Sequence, residues 1–182
     1  FNNSGFLRIL GYNRKNEAIC NSIGQVNPFY LLFNFSSLLY EMDVEIHIAT
    51  SAYAKYTQEV CDLIYESALA RGTGIAKRSP EYVAEKINLG KAIIALDGDK
   101  LVGFAYIETF SHNRFVANSG LVVHPKYRNQ GLATKIKRKI FDLSRKLYPH
   151  AKIFSITTGL AVMKMNTELG FRPVTFSELT DD

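Results

Sequence analysis

The chain has no tryptophan and only two cysteines and four histidines in 182 residues. Cys20 and Cys61 stand too far apart for metal-ligand spacing, and His47, His112, His124 and His150 have no partner four residues on and no neighbouring cysteine. The sequence therefore offers no zinc site, and no metal is expected. Cys61, beside Val60, Leu63 and Ile64, reads as the reduced buried thiol of a cytoplasmic protein. Long apolar runs are also missing. Residues 29 to 40 are too few to span a bilayer, and no basic stretch with a small-residue cleavage site frames them as a signal peptide, so no membrane partner is expected.

What is present is ordinary for a globular core: 47% hydrophobic and 21% charged residues, enough for one domain plus an extension. Acidic residues are in deficit, 17 against 22 Lys and Arg, for a net charge of +5. Many of the basic ones fall between Lys135 and Lys146, where an anionic cofactor explains them as well as RNA does. Residues 1–41 are rich in Asn, Ser and aromatics and poor in charge; they read as an N-terminal extension, either an accessory arm or sequence upstream of a start at Met42. Residues 42–182 read as the functional domain.

From Val44 the pattern becomes regular. Val44 to Ala49 alternates like a half-buried strand, and Tyr53 to Arg71 carries Val60, Ile64 and Ala68 at helical spacing. Ser79 and Pro80 start a helix over Glu81 to Leu89. Lys91 to Leu96 and Leu101 to Phe110 flank a turn at residues 97–100 as a hairpin. A strand from Ala117 to Val123, a helix over 130–147, a strand over 152–157, a helix over 160–169 and a last strand over 172–177 complete the order. On the long helix Leu132, Ile136, Ile140, Leu143 and Leu147 form one apolar stripe, and Lys135, Lys137, Arg138, Lys139, Arg145 and Lys146 read mainly as a solvated face, with one near the loop available to a ribose phosphate.

The segment from Leu121 to Ala133 carries the most chemistry. An apolar strand passes through a proline-bearing turn into Arg128, Asn129, Gln130, Gly131, Leu132 and Ala133, and then into the basic helix. Small residues at 131 and 133 let a pyrophosphate reach the free N–H groups of a helix start. The loop lacks the Gly-Lys-Ser/Thr ending of a P-loop and the three glycines of a dinucleotide fingerprint, which sets kinases and dehydrogenases aside.

Val122, Val123, His124 and Pro125, followed by Tyr127, Arg128, Gly131 and Ala133, resemble the cofactor motif of the GNAT superfamily of acyl-CoA-dependent N-acyltransferases. A second signature follows at the expected separation, in residues 151–157 and 161–171 with Gly170 and Phe171. The resemblance implies an α/β fold with a mixed, mostly antiparallel twisted sheet, helices on both faces, and acetyl-CoA or another acyl-CoA as co-substrate. Between residues 74 and 178 a narrower likeness appears, to the acyltransferase domain of N-acetylglutamate synthases: Lys77, Arg78 and Ser79 before a helix, His124 to Tyr127 after the strand, and Ile156, Thr157 and Thr158 leading to Gly170, Phe171, Arg172 and Pro173. It implies a stand-alone form, an amino acid such as glutamate as acceptor, and a place in arginine biosynthesis.

Acyl transfer to an amine needs a neutral nucleophile, a stabilised oxyanion and protonation of the departing thiolate. The resemblance assigns the backbone N–H groups of Leu121, Val122 and Val123 to the oxyanion and the pantetheine arm, and Arg128 to Thr134 to the pyrophosphate. Many superfamily members place a tyrosine acid where this chain has Asn166, which hydrogen-bonds but cannot deliver a proton. Another group or water then serves, or the thiolate leaves unprotonated; Thr157 and Thr158 are placed to hydrogen-bond near the sulfur. For the base, Glu108 is a candidate, with Asn118 or Ser119 holding a water as the alternative. An acidic acceptor needs cations, for which Lys77 and Arg78 are the candidates.

The rivals are an acetyltransferase for another amine or a protein amino group, a non-catalytic acyl-CoA-binding module, and a nucleic-acid binder resting on the basic helix alone. The chain also ends about one strand early for the superfamily, so a missing tail, a second copy in a homodimer or residues 1–41 is expected to cover the open edge.

Overall fold

The computed structural model describes residues 43–70, 72, 77–157, 159–175 and 178. All lie in the unit Met42–Asp182; residues 1–41, with Cys20, fall outside the described part. Strand β1 (Val44–Ile48) runs into a 3-10 turn at Ser51–Tyr56 and helix α1 (Thr57–Ala70). Helix α2 (Pro80–Asn88) precedes strands β2 (Ala92–Asp97), β3 (Lys100–Phe110) and β4 (Phe115–Val123). A 3-10 turn at Pro125–Tyr127 leads to α3 (Leu132–Leu147), then β5 (Lys152–Phe154) and α4 (Leu160–Glu168).

The strands lie in the order β1-β2-β3-β4-β5. Every neighbouring pair is antiparallel except β4 and β5, which are parallel. The mixed, mostly antiparallel sheet that the resemblance implies is therefore the one observed. Local chemistry explains the element starts. Ser79 caps α2 by accepting from the Tyr82 N–H at 3.3 Å, with Pro80 in the first turn. Gly98, at φ +56, makes the tight turn between β2 and β3.

Two cores sandwich the sheet. Val60, Leu63 and Ile64 of α1 and Val83 and Ile87 of α2 pack with Ile94, Phe104, Tyr106 and Val122 on one face. On the other, Leu132, Ile136, Ile140 and Leu143 of α3 pack with Ile93, Val102, Ile107 and Val116. Burying each of these α3 side chains contributes roughly 2 kcal/mol. The approach is close: a Cβ on Gly103 would sit 2.5 Å from Ile136 Cδ1.

Several boundaries differ from the sequence expectation. The helix expected from Tyr53 begins as a 3-10 turn, and the helix expected from residue 130 begins at Leu132, because Gly131 at φ +77 is its left-handed N-cap. Leu147 is 42% exposed rather than part of the stripe. Lys137, expected on the solvated face, is 1% exposed. It lies three residues before Ile140 and seven before the fully buried Ser144, so this side of α3 also turns inward. The strand expected over 152–157 ends at Phe154, and residues 172–175 form no strand; residues 176 and 177 lie outside the described part.

Candidate active site

The site is built where β4 and β5 part. Their ladder pairs Phe115, Val116 and Ala117 with Lys152, Ile153 and Phe154, and stops there. Beyond it β4 bends. Tyr106 faces Ser119 and Phe104 faces Val122, so Gly120 and Leu121 together oppose Ala105 alone. This is a β-bulge, which leaves backbone groups out of the ladder. Gly120 takes φ +64, and a Cβ there would overlap the Tyr106 ring. Residues 155–157 leave β5 on the other side, and a cavity of about 500 Å3 opens between the two chains.

Asn118, Ser119, Leu121 and Val122 line this cavity from β4, Ser155 and Thr157 from the far wall, Lys137 from α3, and Arg78 with Tyr106 from the α2 side. Arg78 Nε donates to the Tyr106 hydroxyl at 2.8 Å, and the guanidinium lies 5.7 Å from the Tyr82 ring centroid. Asn118 Nδ2 donates to Ser144 Oγ at 2.7 Å, and Ser144 donates on to the Ile140 carbonyl at 2.8 Å. The Asn118 side-chain carbonyl oxygen is buried without a hydrogen-bond partner among the described residues. Lys137 contacts the Phe171 ring, 5.1 Å from its centroid, and burial pushes its ammonium down to about 8.

The loop expected to take a diphosphate, residues 128–133, adjoins the cavity through β4. Asn129 and Gly131 both have positive φ, and no side chain caps the start of α3. The first N–H groups of that helix therefore have no intrahelical acceptor. Arg128 turns back onto the domain, donating from Nε to the Val123 carbonyl at 3.0 Å and from Nη2 to Ser67 Oγ at 3.2 Å. Gln130 donates to the Lys126 carbonyl at 3.1 Å. Leu132 is buried as the loop's anchor, while Ala133 and Thr134 are half-buried. An exposed, uncapped helix start beside a split sheet fits an extended ligand with a diphosphate at one end and an apolar arm at the other.

The structure brings together some of the residues singled out above and separates others. Leu121, Val122, Thr157, Arg78, Asn118 and Ser119 share the cavity. Val123 lies beyond it, holding Arg128. The Thr157 hydroxyl accepts from the Gly159 N–H at 3.1 Å; Thr158 lies outside the described residues. Asn166 is buried away from the cavity lining, its backbone carbonyl accepting from Leu169 and Phe171. Lys77 is exposed over the Tyr65 ring. Glu108 sits outside the lining, 3.3 Å from Lys86 Nζ. Burial raises its carboxyl above the ordinary range, and the nearby Arg78 guanidinium pulls the other way.

Sequence reasoning missed Lys137, Tyr106 and Gly120. Lys137 was hidden among five other basic residues on one helix, although its spacing to Ile140 and Ser144 repeats at a helical period. A second concavity, about 540 Å3, lies between β1 and α3, lined by Ile46, Ile48 and four basic residues. It holds no convergent hydrogen-bonding set; Lys139 there donates to the Ile46 carbonyl at 2.8 Å. Among the described residues no group of His, Cys, Asp and Glu gathers as a metal site, and no helix is long and apolar enough to cross a membrane.

Residues 61–171 match the model of the Acetyltransferase (GNAT) family. Solved structures share the fold. N-acetylglutamate synthase from Neisseria gonorrhoeae, complexed with coenzyme A and N-acetyl-glutamate, superposes with a TM-score of 0.60 at 23% identity, over 78% of this chain and 31% of the synthase. The chain thus spans about a third of that protein's length. Diaminobutyrate acetyltransferase from Paenibacillus lautus, complexed with L-2,4-diaminobutyric acid and coenzyme A, gives 0.55 at 16% identity, over 71% of this chain and 74% of that one. A predicted acetyltransferase with acetyl-CoA from Clostridium acetobutylicum gives 0.57 at 12% identity, over 73% and 92%. No curated protein matches the sequence.

Proposed function

Since the chain belongs to the acetyltransferase (GNAT) family, whose model covers more than half of it, we propose that it transfers an acetyl group from acetyl-CoA directly to the amino group of a small acidic amino acid, glutamate first among them. The observation that carries the choice of acceptor is Arg78. Arg78 lines the cavity and its Nε donates to Tyr106, itself 1% exposed, which supports a held guanidinium as the partner of an acceptor carboxylate.

The thioester supplies an activated acyl group and a good leaving thiolate. The chain's own contribution is to seat and orient it: the uncapped start of α3 takes the diphosphate, and the bulge at Gly120 and Leu121 offers backbone donors where the carbonyl oxygen becomes negative. Arg78 then aligns the acceptor, and Glu108 or a water held by Asn118 or Ser119 takes the proton from its ammonium. The half-buried Thr157 lies on the opposite wall of the same cavity. Both relatives with defined acceptors hold amino acids or their acetylated products, which supports an amino-acid acceptor here.

The test is thiol release from acetyl-CoA with glutamate, aspartate, diaminobutyrate, polyamines and peptides as competing acceptors. Glutamate is expected to show the highest kcat/KM. Turnover of polyamines or peptides without glutamate would overturn the choice of acceptor, and coenzyme A binding without release on the whole panel would make this a binding module.

A further inference from the structure

Lys137 is a lysine almost wholly removed from water, at 1% exposure, with no hydrogen-bond or ion-pair partner among the described residues. Among the described residues, the Phe171 ring attends its ammonium. A buried cation without an anion is costly and is retained where something enters to meet it. Lys137 lines the cavity between β4 and the chain after β5, together with Asn118, whose buried carbonyl oxygen also lacks a partner. Two unmet polar groups of opposite character therefore border the space where an acyl donor's arm would end.

The other possible donors around the cavity are weaker candidates. Ser119, Ser155 and Thr157 carry hydroxyls, which do not give up a proton near neutral pH. Arg78 stays charged at any working pH, and the hydroxyl of Tyr106, on a ring that is 1% exposed, is held by the Arg78 Nε–H and belongs to a phenol, a weaker acid than a desolvated ammonium. β4 otherwise brings Asn118, Gly120, Leu121 and Val122, and among the described residues the wall after β5 brings no titratable group to the lining. Asn166 neither lines the cavity nor carries an acid.

On the reading that this cavity binds an acyl-CoA, we infer that Lys137 is the catalytic proton donor to the departing thiolate. The acceptor nitrogen bonds to the thioester carbonyl carbon, and the carbon–sulfur bond breaks with its electron pair left on sulfur. Lys137 Nζ gives its proton to that sulfur and becomes a neutral amine. The proton shed by the nitrogen as it becomes an amide, passed through water, recharges it. Burial suits the group to this exchange: an ammonium brought down to about 8 is a stronger acid than an ordinary alkyl thiol, so its proton passes downhill to the departing thiolate.

The test titrates the thiol of coenzyme A bound to the wild type and to Lys137→Met, following thiolate ultraviolet absorbance against the S-methyl-coenzyme A complex as blank, after calorimetry has established binding. The Lys137 ammonium is expected to lower the bound thiol's pKa below that of free coenzyme A, and Lys137→Met to return it to the free value or above. Lys137→Arg keeps the lowered value. In turnover with the best acceptor of the panel, Lys137→Met is expected to lose about 100-fold or more in kcat, with KM for the acceptor little changed and much of the loss recovered by an acetyl donor whose thiol is more acidic. Equal thiol titration in wild type and Lys137→Met overturns the inference, as does a defect confined to acceptor KM, which would make Lys137 an anchor for a substrate carboxylate. If the wild type binds no coenzyme A at all, the calorimetry shows that the acyl-CoA reading itself has failed, and the inference with it.

Discussion

Arg78 and Tyr106, separated by 28 residues, are joined by a 2.8 Å hydrogen bond from the guanidinium Nε to the phenol oxygen. The bond ties the segment before α2 to the middle of β3 and fixes the guanidinium against the cavity. Arg78→Lys keeps the charge but loses the fork, and is expected to cost about 2–3 kcal/mol, roughly 30- to 150-fold in kcat/KM for an acidic acceptor. Tyr106→Phe removes one hydrogen bond, at about 1 kcal/mol. Steady-state kinetics checks both; KM for acetyl-CoA should stay within twofold of wild type, and a rise there instead would place Arg78 in the donor site.

Gly120 is where backbone and ring cannot both be kept. Its φ of +64 disfavours any other residue, and a Cβ would overlap Cε1 of a Tyr106 ring that is itself buried. Gly120→Ala is expected to destabilise the domain by at least about 2 kcal/mol, from left-handed strain plus displacement of the ring. Displacing Tyr106 also frees Arg78, so acceptor kcat/KM falls alongside. Denaturant unfolding and kinetics on the same sample check this; unchanged stability would mean that the bulge does not hold the ring.

How much of this was legible depends on the range of the interactions involved. The alternation of Val44 to Ile48, the Ser79 cap and the apolar spacing on α3 are local signals, and the elements formed close to where they point. The conformation of the loop from Arg128 to Ala133 was readable because it rests on backbone, which glycine and a helix start dictate. Lys137 was not, because whether a basic side chain on a helix is solvated or buried depends on which neighbour closes over it. That neighbour is Phe171, in a segment expected to run into a strand. Asn166 likewise drew attention by its position in a pattern, yet it is buried and does not line the cavity.

Arg128 is bonded to Val123 and Ser67, so it braces the loop before α3 from behind. Arg128→Ala should loosen the loop more than the core. The measurement is the rise in Tm on saturating with coenzyme A, worth about 2.7 kcal/mol at a hundred times Kd. That rise is expected to shrink by at least half while the ligand-free Tm moves by only a few degrees. A large fall in ligand-free Tm with an intact coenzyme A response would make Arg128 a packing residue alone.

Glu108 as base makes a separate prediction. Burial raises its carboxyl, so the acidic limb of kcat/KM should lie above the range of an exposed glutamate, and Glu108→Gln should abolish that limb with at least a 100-fold loss. If the limb survives in Glu108→Gln, the proton leaves through water at Asn118 or Ser119.

The buried ammonium of Lys137 also has a consequence for stability that needs no substrate. Its folded pKa, about 8, lies below the ordinary lysine value of the unfolded chain. Between those two values the unfolded state binds more protons than the folded one, so stability rises with pH across that window. Above the unfolded value both states are neutral and the burden is absent; as pH falls through 8 the folded state must carry a desolvated charge. The burden below that point is roughly 3 kcal/mol at most. Lys137→Met fills similar space without the charge, so it is expected to be more stable than wild type at pH 7 and to lose that advantage toward pH 10.5. Subtracting the two denaturation profiles cancels the other lysines and the tyrosines, which titrate alike in both proteins. A difference that stays flat between pH 7 and 10.5 would mean that Lys137 keeps its charge in water, and that the wall of the cavity is not where its ammonium resides.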